Sequence, residues 1–216
     1  MDFQYFLEYV PNLAVAKLPA IEAHMKMVPF ERIESLKKGG DVKMKPRIAA
    51  VMMLLYPKNG ITHLVLIVRN SYEGVHSAQI AFPGGKYETI DSVFSNTALR
   101  ETHEEVGVHP DNMEIIKPFT PMYIPPSNFE VHPFLGICKE EVCFVPDPTE
   151  VSAIIELPLS VFLSDQIIVN ANMSTSYAKD VNVPAFEIEG HIVWGATAMM
   201  LSELKDVLKD VFSSQK

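Results

Sequence analysis

Apolar residues recur along this chain with two different periods, and the changes from one to the other predict its elements. Residues 48–56 (IAAVMMLLY) are apolar almost without a break and long enough for a buried strand. An Asn59-Gly60 turn signal follows. Residues 62–69 form a second apolar run rich in β-branched side chains, so the pair predicts a β-hairpin. Shorter runs at 79–82, 113–117, 131–138 and 151–157 have strand character, and 174–190 reads as hairpin material. The proline-rich stretch 120–127 (TPMYIPPS) predicts a loop.

Helical spacing governs the rest. Phe3, Phe6, Leu7 and Val10 recur on one face, so residues 1–45 read as short amphipathic helices joined at Pro11, Pro19 and Pro29. These helices are expected to cover an edge of the domain or a partner subunit in a homodimer, and Lys37-Lys38-Gly39-Gly40 reads as a connector. Residues 92–106, 158–163 and 196–212 predict three further helices, the second with Pro158 at its first position. The apolar side of the last one is Met199, Met200, Leu204, Val207, Leu208 and Val211. This order predicts an α/β fold with a mixed β-sheet between helical layers: an N-terminal helical extension over 1–45 and the main domain over 46–216.

Charge and cysteine usage narrow the partners. The 216-residue chain carries a formal net charge of −9, which argues against nucleic acid, whose phosphates need a basic surface. The same charge works against long-range attraction of an anionic substrate. Local cations, with Lys43, Lys45 and Arg47 as minor candidates, and bound metal must then supply that attraction. The two cysteines, Cys138 and Cys143, lack zinc-like spacing, and as strand residues five apart they would face opposite ways. No disulfide and a reducing, cytoplasmic setting are therefore expected. No stretch approaches the ~20 apolar residues of a membrane span, and the N-terminus lacks the basic and apolar regions of a signal peptide.

The chemistry concentrates in 81–108, AFPGGKYETIDSVFSNTALRETHEEVGV. A tight Pro83-Gly84-Gly85 turn opens it, and Gly107 is a helix stop. At ~100° per residue Glu101, Glu104 and Glu105 share one helix face, while Leu99, Thr102 and Val106 share another that can pack on a core. Like charges four apart repel, so such a face makes a poor helix unless a cation sits among the carboxylates. A hard divalent ion with substrate phosphates suits that donor set.

These residues resemble the Nudix box, G-x5-E-x7-R-E-U-x-E-E-x-G-U with U aliphatic. Gly85, Arg100-Glu101, Glu104-Glu105 and Gly107-Val108 match it; Asp91 stands for the first Glu, one residue further from Arg100, and Thr102 stands for an aliphatic. Upstream, LVLIVRNSYEGVHSAQIAFPGG is similar to a motif of coenzyme A pyrophosphatases within that family. It matches at Leu66, Arg69 and 82–85 and departs at Ile67, Asn70, Gly74 and Ala78. Pro184-Ala185-Phe186 and 194–198 (WGATA) fit the same subgroup downstream.

The resemblance implies a Nudix-type α/β/α sandwich and Mg²⁺- or Mn²⁺-dependent hydrolysis of a nucleoside diphosphate-linked small molecule, coenzyme A or a derivative. A different substrate, such as ADP-ribose or a dinucleotide, or a non-catalytic nucleotide sensor, is the alternative. On this reading Glu101, Glu104 and Glu105 are metal ligands, and one of them, or Glu150, is the base. Arg100 orients a box glutamate, Asp91 braces the loop before the helix, and Gly84 and Gly85 bring backbone close to metal or phosphate. Arg69 either binds substrate phosphate or makes a structural ion pair, and Trp194 and Tyr123 are aromatic candidates for stacking on a base.

Overall fold

The computed structural model describes residues 1–28, 45–70, 79–173 and 181–214. The expected connector at 37–40, Lys43, Gly74, Ala78 and the first part of the 174–190 hairpin lie outside them. Eight strands form one mixed sheet: β1 (Arg47–Lys58), β2 (Ile61–Arg69), β3 (Ile80–Ala81), β4 (Gly84–Lys86), β5 (Glu114–Pro118), β6 (Met122–Ile124), β7 (Phe129–Ile137) and β8 (Val151–Pro158). A smaller antiparallel sheet holds β9 (Ile168–Met173), β10 (Val181–Ile188) and β11 (His191–Val193). The helices are α1 (Phe3–Leu7), α2 (Val10–Val15), α3 (Ile21–His24), α4 (Phe94–Val106), α5 (Leu159–Leu163) and α6 (Gly195–Ser213).

β1 explains its own unbroken apolar run. Met53 and Leu55 join one hydrophobic cluster, and Met52, Leu54 and Tyr56 the other, because successive side chains of a strand point to opposite faces and both faces are covered. Ala98 and Val106 of α4 pack with the second cluster, and Leu201, Leu204 and Leu208 of α6 with the first. The result is the expected α/β/α sandwich. The turn after β1 is a tight hairpin in which Asn59 and Gly60 both take positive φ (50° and 72°), the conformation an Asn-Gly pair favours.

β1 lies parallel to β7 along its length, and its other edge is divided. Residues 55–58 pair with β2, whereas 49–51 pair with β4. The Met52 N–H donates to the Pro83 carbonyl (2.8 Å) where one partner gives way to the other. That division brings the Gly84-Gly85 turn beside α4.

The N-terminal helices dock on their own chain. Phe3, Phe6, Tyr9 and Leu13 are buried in the same cluster as α6, and the Phe3 N–H donates to the Gly60 carbonyl (2.8 Å). Some boundaries differ from expectation. Pro11 lies in the first turn of α2 rather than between helices, and Pro158 precedes α5 as its cap. α4 starts at Phe94 because a 3₁₀ turn (Thr89–Asp91) intervenes and Ser92 takes φ 62°. Within the expected loop at 120–127, Met122–Ile124 pairs with β7, satisfying backbone groups between the prolines. Cys138 is buried, Cys143 is exposed in irregular chain, and both are free thiols. Among the described residues no helix is long and apolar enough to cross a membrane.

Candidate active site

The two glycines of the turn are required for different reasons. A Cβ on Gly84 would sit 2.3 Å from the Ala50 carbonyl oxygen and 2.6 Å from Val51 Cα, inside the β1 backbone, and its φ is +152°. A Cβ on Gly85 would meet Glu101 Oε2 at 2.3 Å. Glycine therefore lets β4 lie against β1 on one side and lets a carboxylate of α4 close on the turn from the other.

α4 carries the rest of the pattern. It ends at Gly107 in the left-handed conformation (φ 78°), whose N–H donates to the His103 carbonyl. Thr102, where the family pattern has an aliphatic, is fully buried and donates its hydroxyl to the Ala98 carbonyl (2.6 Å), so the polar group is satisfied within the helix. His103 is exposed and stacks its ring near His109 (5.4 Å).

Arg100 organises one side of the acidic face. Its Nε donates to Asp91 Oδ1 (2.8 Å), one terminal nitrogen contacts Glu101 (2.9 Å) and Glu104 (2.8 Å), and the other reaches Asp91 and the Lys86 carbonyl (3.1 Å each). Asp91 is buried and also accepts from the Thr97 hydroxyl and the Glu88 N–H (2.9 Å each). Arg100 and these donors hold its carboxyl down at about 2, against the upward push of burial. Asp91 thus braces the turn into α4, the role its place in the pattern implied. Thr97 escaped notice in the sequence, because its nearness to Asp91 exists only once the 3₁₀ turn folds back.

Glu105 is set apart from that network. It is 1% exposed; its Oε2 accepts from the Gly84 N–H (2.7 Å), and its Oε1 lies 3.4 Å from a terminal nitrogen of Arg69. Burial pushes its pKa up to about 8, with Glu101 and Glu150 adding to the rise and the Gly84 N–H and Arg69 opposing it. Burial also raises Glu101, with Glu104 and Glu150 adding to it against Arg100.

Glu150 reaches this group through backbone ties. The Val145 and Asp147 N–H groups donate to the carbonyls of Val106 and Glu105, and Glu150's own carbonyl accepts from the Asn70 N–H (2.9 Å). Gly107 serves here as well, since a Cβ on it would meet Val145 at 2.9 Å.

The expected ligands are therefore neighbours with divided attention. Glu101 and the exposed Glu104 turn to Arg100, and Glu105 turns to Gly84 and Arg69. Among the described residues no three Asp, Glu, His or Cys side chains already converge as a metal-binding group. The donor set nevertheless fits a hard divalent ion: carboxylate oxygens only, one carboxyl buried and raised mainly by that burial, with its acidic neighbours adding to the rise. Of the aromatic candidates, Trp194 is half-buried as the cap of α6, and the Tyr123 hydroxyl donates to Asn128 (3.0 Å). Arg47 stacks on Phe129 (4.1 Å) and donates to the Ser127 carbonyl.

Known proteins resemble this chain over much of its length. A model of the NUDIX domain matches residues 45–172. The chain is 34% identical over 139 residues to Nudix hydrolase 15, mitochondrial, of Arabidopsis thaliana, covering 63% of this chain and 48% of that one. It is 30% identical over 138 residues to the peroxisomal coenzyme A diphosphatase NUDT7 of Mus musculus, covering 64% and 58%. It thus spans about half the length of these relatives. A crystal structure of a Nudix hydrolase from M. smegmatis, RenU, shares the fold at a TM-score of 0.51 and 13% identity, over 78% of this chain and 87% of that one. The chain belongs to the Nudix family.

Proposed function

We propose that this chain is a divalent-metal-dependent pyrophosphohydrolase that cleaves the diphosphate of coenzyme A or a derivative, giving 3′,5′-ADP and 4′-phosphopantetheine or its acyl form. The observation that carries the reading is the buried Glu105, hydrogen-bonded to the Gly84 N–H and set among Glu101, Glu150 and Arg69. Glu101, Glu104 and Glu105 would hold Mg²⁺ or Mn²⁺, which would supply positive charge against the diphosphate as its P–O bond breaks.

The chain's own groups have separate tasks. Arg100 holds Glu101 and Glu104 in register with each other and with Asp91, so it acts through them rather than on substrate. Gly84 and Gly85 leave room for backbone to lie against the carboxylates. Arg69, beside Glu105, is the candidate to donate hydrogen bonds to substrate phosphate. Glu150 is exposed at the rim and is the candidate to take the proton from attacking water.

The substrate assignment draws on the upstream motif and on the similarity to the mouse diphosphatase. A specific observation favours a second reading: Gly74 stands where the subgroup motif has an arginine, a residue type favoured as a phosphate ligand. On that reading the substrate is another nucleoside diphosphate derivative, such as ADP-ribose or a dinucleotide.

The test is a nucleotide library incubated with protein and Mg²⁺ or Mn²⁺ in oxygen-18 water, with products identified by mass spectrometry. Coenzyme A should yield 3′,5′-ADP and 4′-phosphopantetheine, one of them labelled. Faster turnover of ADP-ribose or a dinucleotide would transfer the assignment to the second reading, and binding without any turnover would make the domain a sensor.

A further inference from the structure

Two arginines face the acidic group, and they are bonded very differently. Arg100 makes five contacts between 2.8 and 3.1 Å. Among the described residues Arg69 makes one long contact to Glu105, at 3.4 Å, and its Nε is buried without a hydrogen-bond partner. Its backbone is fixed: it ends β2, pairs with Val151 across a register shift, and donates its N–H to the Gln79 carbonyl (3.0 Å). The guanidinium is thus anchored at its root and under-bonded at its head. A buried donor left unmade is costly, and a nearby anion with two oxygens would satisfy Nε and a terminal nitrogen together.

The oxygen it covers matters as much. Gly84 holds Glu105 Oε2, so Oε1 is the oxygen left for another ligand, and it is the one Arg69 approaches. A cation binding Oε1 must displace or repel the guanidinium.

We propose that Arg69 acts as a removable counter-ion: it pairs with Glu105 until metal and diphosphate arrive, and the diphosphate then draws it away. This rests on the hydrolase reading above. The consequence is a coupling. Arg69 opposes metal binding when no diphosphate is present and ceases to oppose it when one is, so each ligand tightens the other.

Isothermal titration of Mn²⁺ into the full chain, with and without the non-hydrolysable α,β-methylene-ADP, tests this once the analogue's own affinity for Mn²⁺ is subtracted. In the parent the analogue should tighten Mn²⁺ binding. In Arg69→Met, Mn²⁺ alone should bind about five- to tenfold more tightly, within the usual range of site-to-site coupling, and the gain from the analogue should shrink. Mn²⁺ binding to Arg69→Met that equals or falls below the parent's overturns the proposal alone, whereas no Mn²⁺ binding by the parent overturns it together with the hydrolase reading.

If Arg69→Met does not fold, the unmodified protein supplies the answer. The Arg69 Nε–H resonance should move on addition of Mg²⁺ and again on addition of the analogue; a resonance indifferent to both overturns the proposal.

Discussion

Two glutamates are nearly sealed from water, one on the helix covering each face of the large sheet. Glu105 on α4 is 1% exposed and Glu203 on α6 is 0% exposed. Burial pushes both carboxyls up, yet Glu105 rises to about 8 while Glu203 falls below its ordinary range. Residue type and burial are shared, so the difference lies in the company each keeps. Glu203 accepts from the Thr120 hydroxyl (2.6 Å), the Ala20 N–H (3.0 Å) and the Thr120 N–H (3.3 Å), and faces His24 Nε2 (3.3 Å). Glu105 has one short donor and one long one, and shares its space with Glu101 and Glu150. A buried carboxylate surrounded by donors fastens structure; one short of donors and beside other carboxylates calls for a cation.

The largest expected effect falls on the fastened one. Glu203→Ala should cost about 3–5 kcal/mol, because it leaves the Thr120 and Ala20 donors without their acceptor, at about 1–3 kcal/mol for each one left unsatisfied. Urea denaturation measures it. Ala20 and His24 would lose their anchor, so proteolysis before residue 28 should accelerate while the turnover of molecules still folded stays unchanged. A loss under about 1 kcal/mol, the scale of an exposed pair, would break the comparison from the Glu203 side.

Glu105→Gln should behave in the opposite sense. Without metal the fold should be unchanged or more stable by about 1 kcal/mol, because Gln is neutral without having to take up a proton on folding, and an oxygen for the Gly84 N–H is kept. Activity should fall at least about a hundredfold, as when a charge-stabilising group is lost from an active site. Thermal melts in chelator, paired with the product assay, separate the two effects. A variant both unstable and active would reverse the roles assigned to the two glutamates.

The sequence discloses these two residues unequally, for a physical reason. Glu105 belongs to a local pattern: Arg100, Glu101, Glu104 and Gly107 stand at fixed offsets on one helix, so its chemistry can be read along the chain. The helix stop and the bracing by Asp91 are legible for the same reason, since they lie within the same short segment. Glu203's donors stand 83 to 183 residues away, and no local period encodes such contacts; α6 reads only as amphipathic. The Arg69–Glu105 contact, 36 residues apart, is hidden likewise. So is β6, whose flanking prolines signal a loop although its backbone pairs with β7.

A smaller change sharpens the contrast by altering only the neighbours of Glu105. Gly85→Ala places a Cβ where Glu101 Oε2 now lies, and the far end of that side chain can swing aside. Stability should stay within about 1 kcal/mol of the parent, and turnover should fall about tenfold because a carboxylate has left its place. Gly84→Ala is the control: its Cβ meets the β1 backbone, which cannot yield, so its damage should appear as unfolding instead.

The smallest effect is a slope. Glu203 has a folded pKa below the ordinary 4.5, so in the unfolded chain it takes up its proton at a higher pH than in the folded one. Its contribution to stability is therefore fully present above about 4.5 and is lost as pH falls through the lower folded value. Glu203→Gln cannot titrate, so it should lack that part of the acid-side decline while being less stable than the parent near neutrality. Urea midpoints measured from pH 7 down to pH 3 in chelator compare the two slopes. The curves should approach each other on the acid side, because protonation makes the parent's side chain neutral like the variant's. Parallel curves over that range would mean that Glu203 is no better held in the fold than in the unfolded chain, and the distinction between a fastened and a waiting carboxylate would lose its thermodynamic basis.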